Sequence, residues 1–174
     1  MASFFSHPAF PVGIALSRIS RNFSKPLLVL CCILTLLPDA DVISFRFGVP
    51  YESQWGHRGF THSIVFALII GIFCLPFTRK LRSTPLVVFF STFLSTLSHG
   101  VFDALTDGGL GVAFFWPLSD ERYFFPLRPV EVSPIGVRGF LSWRGLVVVG
   151  SEILYIWLPS LFLSFIVRKR MTRQ

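Results

Sequence analysis

The chain has 174 residues, of which 52% are hydrophobic and only 14% are charged, against about 25% charged in a typical soluble domain. The mean hydropathy of +0.66 and the 21 phenylalanines exclude a disordered chain, a coiled coil and a disulfide scaffold, and they indicate one integral membrane domain over residues 1–174. The net charge of +7 fits either nucleic-acid binding or a membrane protein whose basic residues record its orientation.

Two short apolar stretches come first in the chain, at residues 8–16 and 26–37. The second covers roughly 18 Å as a helix, which is less than the roughly 30 Å hydrocarbon core of a bilayer. These stretches therefore predict a short N-terminal helical hairpin that is buried against longer helices.

Three longer apolar runs follow, at residues 61–77, 83–106 and 145–167. Because spanning a bilayer takes about 20 apolar residues, they predict about three full transmembrane helices. The fold class is therefore all-α, a polytopic helical membrane protein. A long outward-facing loop, residues 107–144, joins the last two helices and is rich in aromatic residues that suit a membrane interface.

The basic residues decide the orientation. Ten of the 16 lie in three clusters at segment ends, Arg18/Arg21/Lys25, Arg79/Lys80/Arg82 and Arg168/Lys169/Arg170/Arg173. If the chain crosses back and forth, all three clusters fall on one side, which the positive-inside rule predicts to be cytoplasmic. We therefore expect a multi-pass membrane protein with a cytoplasmic C-terminus, and no nucleic-acid partner.

The ionisable residues at the outward ends of the helices are candidates for function, because charged groups are costly at membrane depth. Asp39 and Asp41 follow the second apolar stretch, and His57 and His62 flank R-G-F-T before the third. A solvated helix-end turn is the alternative for the aspartates, and an interfacial role is the alternative for either histidine alone.

His99 and Asp103 form an H-x-x-x-D motif, whose spacing puts both side chains on one face of a helix. The alternative is a His–Asp hydrogen bond between helices. The topology brings these patches, and also His7, to one level on the outward side. Imidazoles with carboxylates suit a divalent metal, Zn²⁺ first, as one or two ions. The predicted ligands are His7, Asp41, His57, His62, His99 and Asp103.

Such a centre activates water for hydrolysis, and we assign the general base to Asp39. Arg58 and Arg122, and also Arg128, are candidates for binding an anionic headgroup or phosphate. The alternative for the arginines is pairing with lipid or with Glu121 and Glu131. Glu152 is a partner of either the metal ligands or an arginine such as Arg144, and its role stays open.

The order LPDAD, GHRGFTHS, SHGVFDALTDGG, FFWPLSDERYFFP resembles the YdjM-like family, bacterial inner-membrane proteins described as metal-dependent hydrolases, some of them LexA-regulated. The resemblance covers residues 7–159. It implies a polytopic helical membrane protein with a metal site. The family motif falls on Asp39, Asp41, His57, Arg58, Thr61, His62, Ser63, His99, Asp103 and Thr106, and less closely on His7, Arg122 and the segment around Glu152.

The order His, Asp, His, H-x-x-x-D is also similar, more distantly, to zinc-dependent phospholipase C and the single-strand nucleases of its superfamily. This chain has no second H-x-x-x-E/D motif to complete the three-zinc site of those soluble enzymes. The likeness implies hydrolysis of a phosphoester or a phospholipid.

Two functions remain after the sequence is read. The first is a membrane-embedded hydrolase that acts at the outward face on a phosphoester or lipid-linked substrate. The second is a non-catalytic metal-binding or scaffold protein with a structural His/Asp cluster. The sequence does not distinguish them, and it leaves the oligomeric state open.

Overall fold

The computed structural model describes residues 1–134 and 136–172. Arg173, which the sequence places in the third basic cluster, lies outside the described residues. Within them no strand forms, and two isolated bridges pair Thr106 with Val130 and Val112 with Tyr123. The α-helices are α1 Ala9–Ser17, α2 Lys25–Leu34, α3 Ile64–Cys74, α4 Pro85–Ala104, α5 Val137–Phe140, α6 Trp143–Glu152 and α7 Leu158–Met171.

Three helical runs are long and apolar enough to cross a membrane: Lys25–Phe47 with 23 residues, Pro85–Ala104 with 20, and Trp143–Met171 with 29. The predicted fold class and the number of spanning helices are therefore confirmed. The last run is continuous because a π-helical turn, Ile153–Trp157, joins α6 to α7.

One of the three spanning helices in the structure is not one of the three that the sequence predicts. The stretch at residues 26–37 does not end there, because a 3₁₀ helix, Pro38–Phe47, continues α2 to a spanning length. Pro38 starts this second segment, a position where a helix needs no N–H donor. The run at residues 61–77, predicted to span, is instead the shorter apolar helix Ile64–Phe77.

Local signals explain where α2 and α3 begin. The Ser24 side chain accepts a hydrogen bond from the backbone N–H of Leu27, and the Ser63 side chain accepts one from Phe66. Each serine thereby satisfies one of the unpaired N–H groups of a first helical turn. Ser63 thus fixes the start of α3 directly after His62.

Small residues let the helices approach closely, as is usual in membranes. Ser164 in α7 donates a hydrogen bond to the Gly13 carbonyl of α1 at 2.8 Å. Gly71 in α3 lies where an added Cβ would be 3.1 Å from Phe89 and Phe93 of α4. A buried cluster joins α2, α3 and α4, and its members are Leu27, Cys31, Leu34, Cys74, Leu81 and Val88.

The basic turns lie together at one end of the bundle. Ser83, beside the second basic cluster, donates to the Asn22 carbonyl within the first at 2.6 Å. Ser17 and Val167, which precede the first and third clusters, line one cavity between α1 and α7. The opposite ends of α2 and α4 carry the polar residues that form the candidate site.

Candidate metal centre

All four histidines of the chain gather with three aspartates at the end of α4. One donor group, with ligand atoms all within 4.8 Å of one another, contains Asp39, His62, His99 and Asp103. A second group contains Asp41, His57 and His62, so His62 is common to both. The elements that supply them are the 3₁₀ helix Pro38–Phe47, the loop before α3, and α4.

The protonation of His99 follows from its contacts. Its Nδ1 lies 2.7 Å from the Thr35 carbonyl oxygen, which can only accept, so Nδ1 carries the proton. A neutral imidazole then has its lone pair on Nε2. That atom faces Asp39 Oδ1 at 3.2 Å and His62 Nε2 at 3.0 Å.

His62 is held in the same way by different partners. Its Nδ1 lies 3.0 Å from Thr61 Oγ1 and 3.3 Å from Asp41 Oδ2. Since Thr61 donates its own hydroxyl proton to Asp41 at 2.7 Å, the hydroxyl accepts from His62 Nδ1–H. The two Nε2 lone pairs of His62 and His99 therefore point at each other, an arrangement that only a proton or a cation between them stabilises.

Asp41 orients the two histidines of the loop. Its Oδ1 lies 2.7 Å from His57 Nδ1, and its Oδ2 faces His62 Nδ1. Metal-binding histidines usually donate their second N–H to a carboxylate or carbonyl in this manner. Because His62 uses Nδ1 toward Asp41 and Nε2 toward His99, the geometry favours one ion in the first donor group over an ion in each.

His7 completes the layer of imidazoles from the N-terminal side. Its ring stacks on His99 with centroids 3.8 Å apart, and its Nε2 lies 3.9 Å from Asp103 Oδ1. Both ring nitrogens are buried without a hydrogen-bond partner, as is Asp39 Oδ1. Burial is the main cause that lowers the pKa of His7 to about 3, so this imidazole is neutral.

Arg58 is completely buried, and every one of its nitrogens has a partner. Nε donates to Asp103 Oδ2 at 3.0 Å, and Nη2 donates to Thr106 Oγ1 at 2.9 Å. Nη1 donates to the carbonyls of Gly108 and Leu110. The guanidinium thus fixes Asp103 and the turn after α4, and the proposed contact with substrate stays a prediction.

Arg122 and Arg128 lie further out. Arg122 donates to the His57 carbonyl at 2.9 Å and to the Ser53 carbonyl at 2.8 Å, which ties the long loop to the histidine loop. Arg128 is exposed and lies over the Phe124 ring. Arg144, and not Arg122, pairs with Glu131 at 2.7 Å.

Glu152 lies beside the site. The sequence left it two roles, as a partner of the metal ligands or as a partner of an arginine. Its carboxylate is buried and accepts hydrogen bonds from the Ser3 backbone and, at 2.6 Å, from the Ser3 hydroxyl. Next to this contact, the Ala2 N–H donates to Asp103 Oδ1 at 2.6 Å. Glu152 therefore holds the N-terminal segment that carries His7, and Arg144 is not its partner.

Two glycines make the histidine loop tight enough to reach the cluster. A Cβ at Gly56 would collide with the Pro50 carbonyl, and one at Gly59 would collide with the Gln54 carbonyl. The backbone at these two positions therefore approaches neighbouring carbonyls too closely to admit a side chain.

We expect Gly59→Ala to destabilise the protein by about 1–3 kcal/mol, because the loop must open to admit the methyl group. Thermal unfolding in detergent measures the effect. Gly150→Ala is the matched control, since a Cβ there meets nothing within 4 Å, and its melting temperature should stay equal or rise. Equal stability of the two variants would contradict the tight loop.

The donor set fits a divalent metal. Two imidazole lone pairs, the buried carboxylate of Asp103 and the partly exposed carboxylate of Asp39 converge, and unpartnered nitrogens of His7 lie beside them. In an interior site, carboxylates at this density need compensating positive charge, and Arg58 supplies one such charge at Asp103. Sequence reasoning missed the Thr35 carbonyl and Ser3, since backbone acceptors and a lone serine leave no motif.

Comparison with known proteins identifies the family of the chain. The family model described as "YdjM inner membrane protein" matches residues 1–173. The Inner membrane protein YbcI of Escherichia coli (strain K12) is 40% identical over 164 residues, which cover 94% of this chain and 95% of that protein. No solved structure matches. The chain belongs to the YdjM family of inner membrane proteins.

Proposed function

We propose that this protein is a membrane-embedded, metal-dependent hydrolase of phosphoester or lipid-linked substrates. The observation that carries the proposal is the pair of Nε2 atoms of His62 and His99, 3.0 Å apart, with Asp103 and Asp39 beside them. Three protein ligands with one open position are typical of catalytic zinc sites. His62, His99 and Asp103 are the three ligands we assign, with Zn²⁺ as the favoured ion.

A divalent ion held by His62, His99 and Asp103 would act as a Lewis acid and would lower the pKa of water at the centre towards about 7. Asp39 lies at the open side, with 15% of its side chain exposed where that of Asp103 is fully buried. Asp39 therefore accepts a proton from the attacking water and returns it to the leaving oxygen. The water oxygen bonds to phosphorus, and the bond from phosphorus to the leaving oxygen breaks.

The remaining residues hold this geometry. Asp41 and Thr61 fix the tautomer of His62, the Thr35 carbonyl fixes that of His99, and Arg58 fixes Asp103. His7 and His57 border the three ligands and are candidates for a further ligand or a second ion. By the positive-inside rule, the basic turns face the cytoplasm, so the centre opens on the periplasmic side.

Metal analysis of protein purified in detergent tests the first half of the proposal. We expect about one zinc ion per chain, as the shared use of His62 implies, and loss of that zinc in His99→Gln. Two ions per chain would assign the Asp41, His57 and His62 group to a second site. Absence of zinc and other divalent metals would leave the cluster as a structural hydrogen-bond network.

A hydrolysis assay tests the second half of the proposal, which is that the centre is catalytic. Zinc-loaded protein is incubated with a soluble nitrophenyl phosphodiester and with phospholipid vesicles. We expect hydrolysis that falls roughly 10²–10⁴-fold in Asp39→Asn while the zinc content is kept. Bound zinc with no turnover on either substrate would favour the non-catalytic alternative, a metal-binding scaffold.

A further inference from the structure

A cavity of about 490 Å³ opens beside the metal centre. It lies between the N-terminal segment, the 3₁₀ helix that follows α2, and the segment around α5. This volume falls within the range of roughly 300–1,000 Å³ that small-molecule sites occupy. The residues that line the cavity include Phe4, Asp39, Val42, Phe140 and Leu141.

Most of the cavity lining is apolar, and its polar side chains are Ser3, Asp39 and Ser133. Phe4 and Phe140 face each other with ring centroids 5.2 Å apart, and Val42 and Leu141 complete the apolar walls. Among the described residues that line the cavity, none is a lysine or an arginine. An alkyl chain placed here gains about 0.8 kcal/mol for each buried CH₂ group.

Asp39 connects this cavity to the metal centre, since it lines the one and belongs to the donor group of the other. The other three members of that group, His62, His99 and Asp103, are buried away from the cavity. A molecule that occupies the cavity therefore meets the centre at the carboxylate that we assign as general base.

Exposed apolar side chains surround the mouth of the cavity. Leu141 is 78% exposed, Phe4 is 62% exposed, and the neighbouring Trp143 is 78% exposed. Trp143 is also the first residue of the last membrane span, so this edge lies where the hydrocarbon core meets the headgroups. Large apolar side chains so exposed at this level suit contact with lipid.

We propose that this cavity binds the hydrocarbon chain of a membrane lipid, which enters sideways from the bilayer and presents its scissile phosphoester to Asp39. The chemistry of that step rests on the proposed hydrolase function, whereas the binding of the chain does not. The lipid would thus be substrate through its headgroup bond and anchored through its tail.

Photo-crosslinking tests the binding without any turnover. The full-length protein is reconstituted in nanodiscs with a phospholipid whose acyl chain ends in a diazirine, and labelled peptides are identified by mass spectrometry. We expect labels on the peptides that contain Phe4 and Leu141. In Val42→Phe, which fills the cavity, labelling of these peptides should fall about tenfold.

Val29→Phe is the matched control, because Val29 is 59% exposed on α2 and does not line the cavity, and its labelling should equal that of the wild type. If Val42→Phe does not fold, Leu141→Glu replaces it, with Leu118→Glu, at a residue 91% exposed, as control. Unchanged labelling in the cavity variant would overturn the proposal. Turnover of the soluble phosphodiester without cavity labelling would keep the hydrolase and reject the lipid-chain site.

Discussion

Asp103→Asn is expected to abolish tight zinc binding, with a loss of affinity greater than about 100-fold. The carboxylate is fully buried, lies 3.6 Å from His62 Nε2, and is one of three assigned ligands. An amide at this position is neutral and a poor ligand, and it leaves Arg58 without its counter-charge. Thermal unfolding with and without added zinc measures the change.

The wild type should be stabilised by about 2.7 kcal/mol when free zinc is 100 times its dissociation constant, and Asp103→Asn should show almost no stabilisation. Asp107→Asn is the matched control, four residues further on. Asp107 is exposed, and its carboxylate accepts a hydrogen bond from Val132 N–H that an amide oxygen also accepts. Equal zinc stabilisation of the two variants would remove Asp103 from the centre.

Arg58→Met is expected to cost about 3–5 kcal/mol of stability, because breaking a buried ion pair leaves an uncompensated charge. Both partners of the Arg58–Asp103 pair have side chains with no exposure, and their contact is 3.0 Å. The change also leaves the Gly108 and Leu110 carbonyls without the donor that Nη1 provides. The melting temperature in detergent gives the size of the effect.

A second variant separates charge from packing. In the double variant Arg58→Met/Asp103→Asn both charges are gone, so part of the stability should return while zinc binding does not. Arg128→Met is the control for the substitution itself, since this exposed arginine contacts only the Phe124 ring among the aromatic side chains, and it should melt like the wild type. An Arg58→Met protein as stable as Arg128→Met would contradict the buried pair.

Hydropathy was sufficient to predict an all-helical membrane fold with three spanning helices, because the bilayer imposes length and composition on each span. It misjudged the second helix because the sequence PDAD reads as a helix end. In the structure the 3₁₀ helix Pro38–Phe47 carries the run onward, and Asp39 and Asp41 lie within it. The polar residues in that segment, Asp39 and Asp41 among them, lower its apparent hydropathy.

The candidate site was partly predictable for a different reason. The i, i+4 spacing of His99 and Asp103 and the orientation of the helices bring side chains to one level without knowledge of their contacts. The direction in which each side chain points could not be predicted from the sequence. Three contacts depend on where distant segments place the backbone. They are the burial of Arg58, the hydrogen bond from His99 Nδ1 to the Thr35 carbonyl, and the hydrogen bond from Ser3 to Glu152.

The gathering of every imidazole of the chain at one end of the bundle gives the molecule a built-in reporter. With nitrogen-labelled histidine, each ring signal in a magnetic resonance spectrum arises from the centre, so a spectrum of four residues is free of background from the rest of the chain. The ring nitrogens that carry protons and those that carry lone pairs resonate far apart. The chemical shifts of these nitrogens therefore give the tautomers of His62 and His99 directly, in the intact protein within a lipid bilayer.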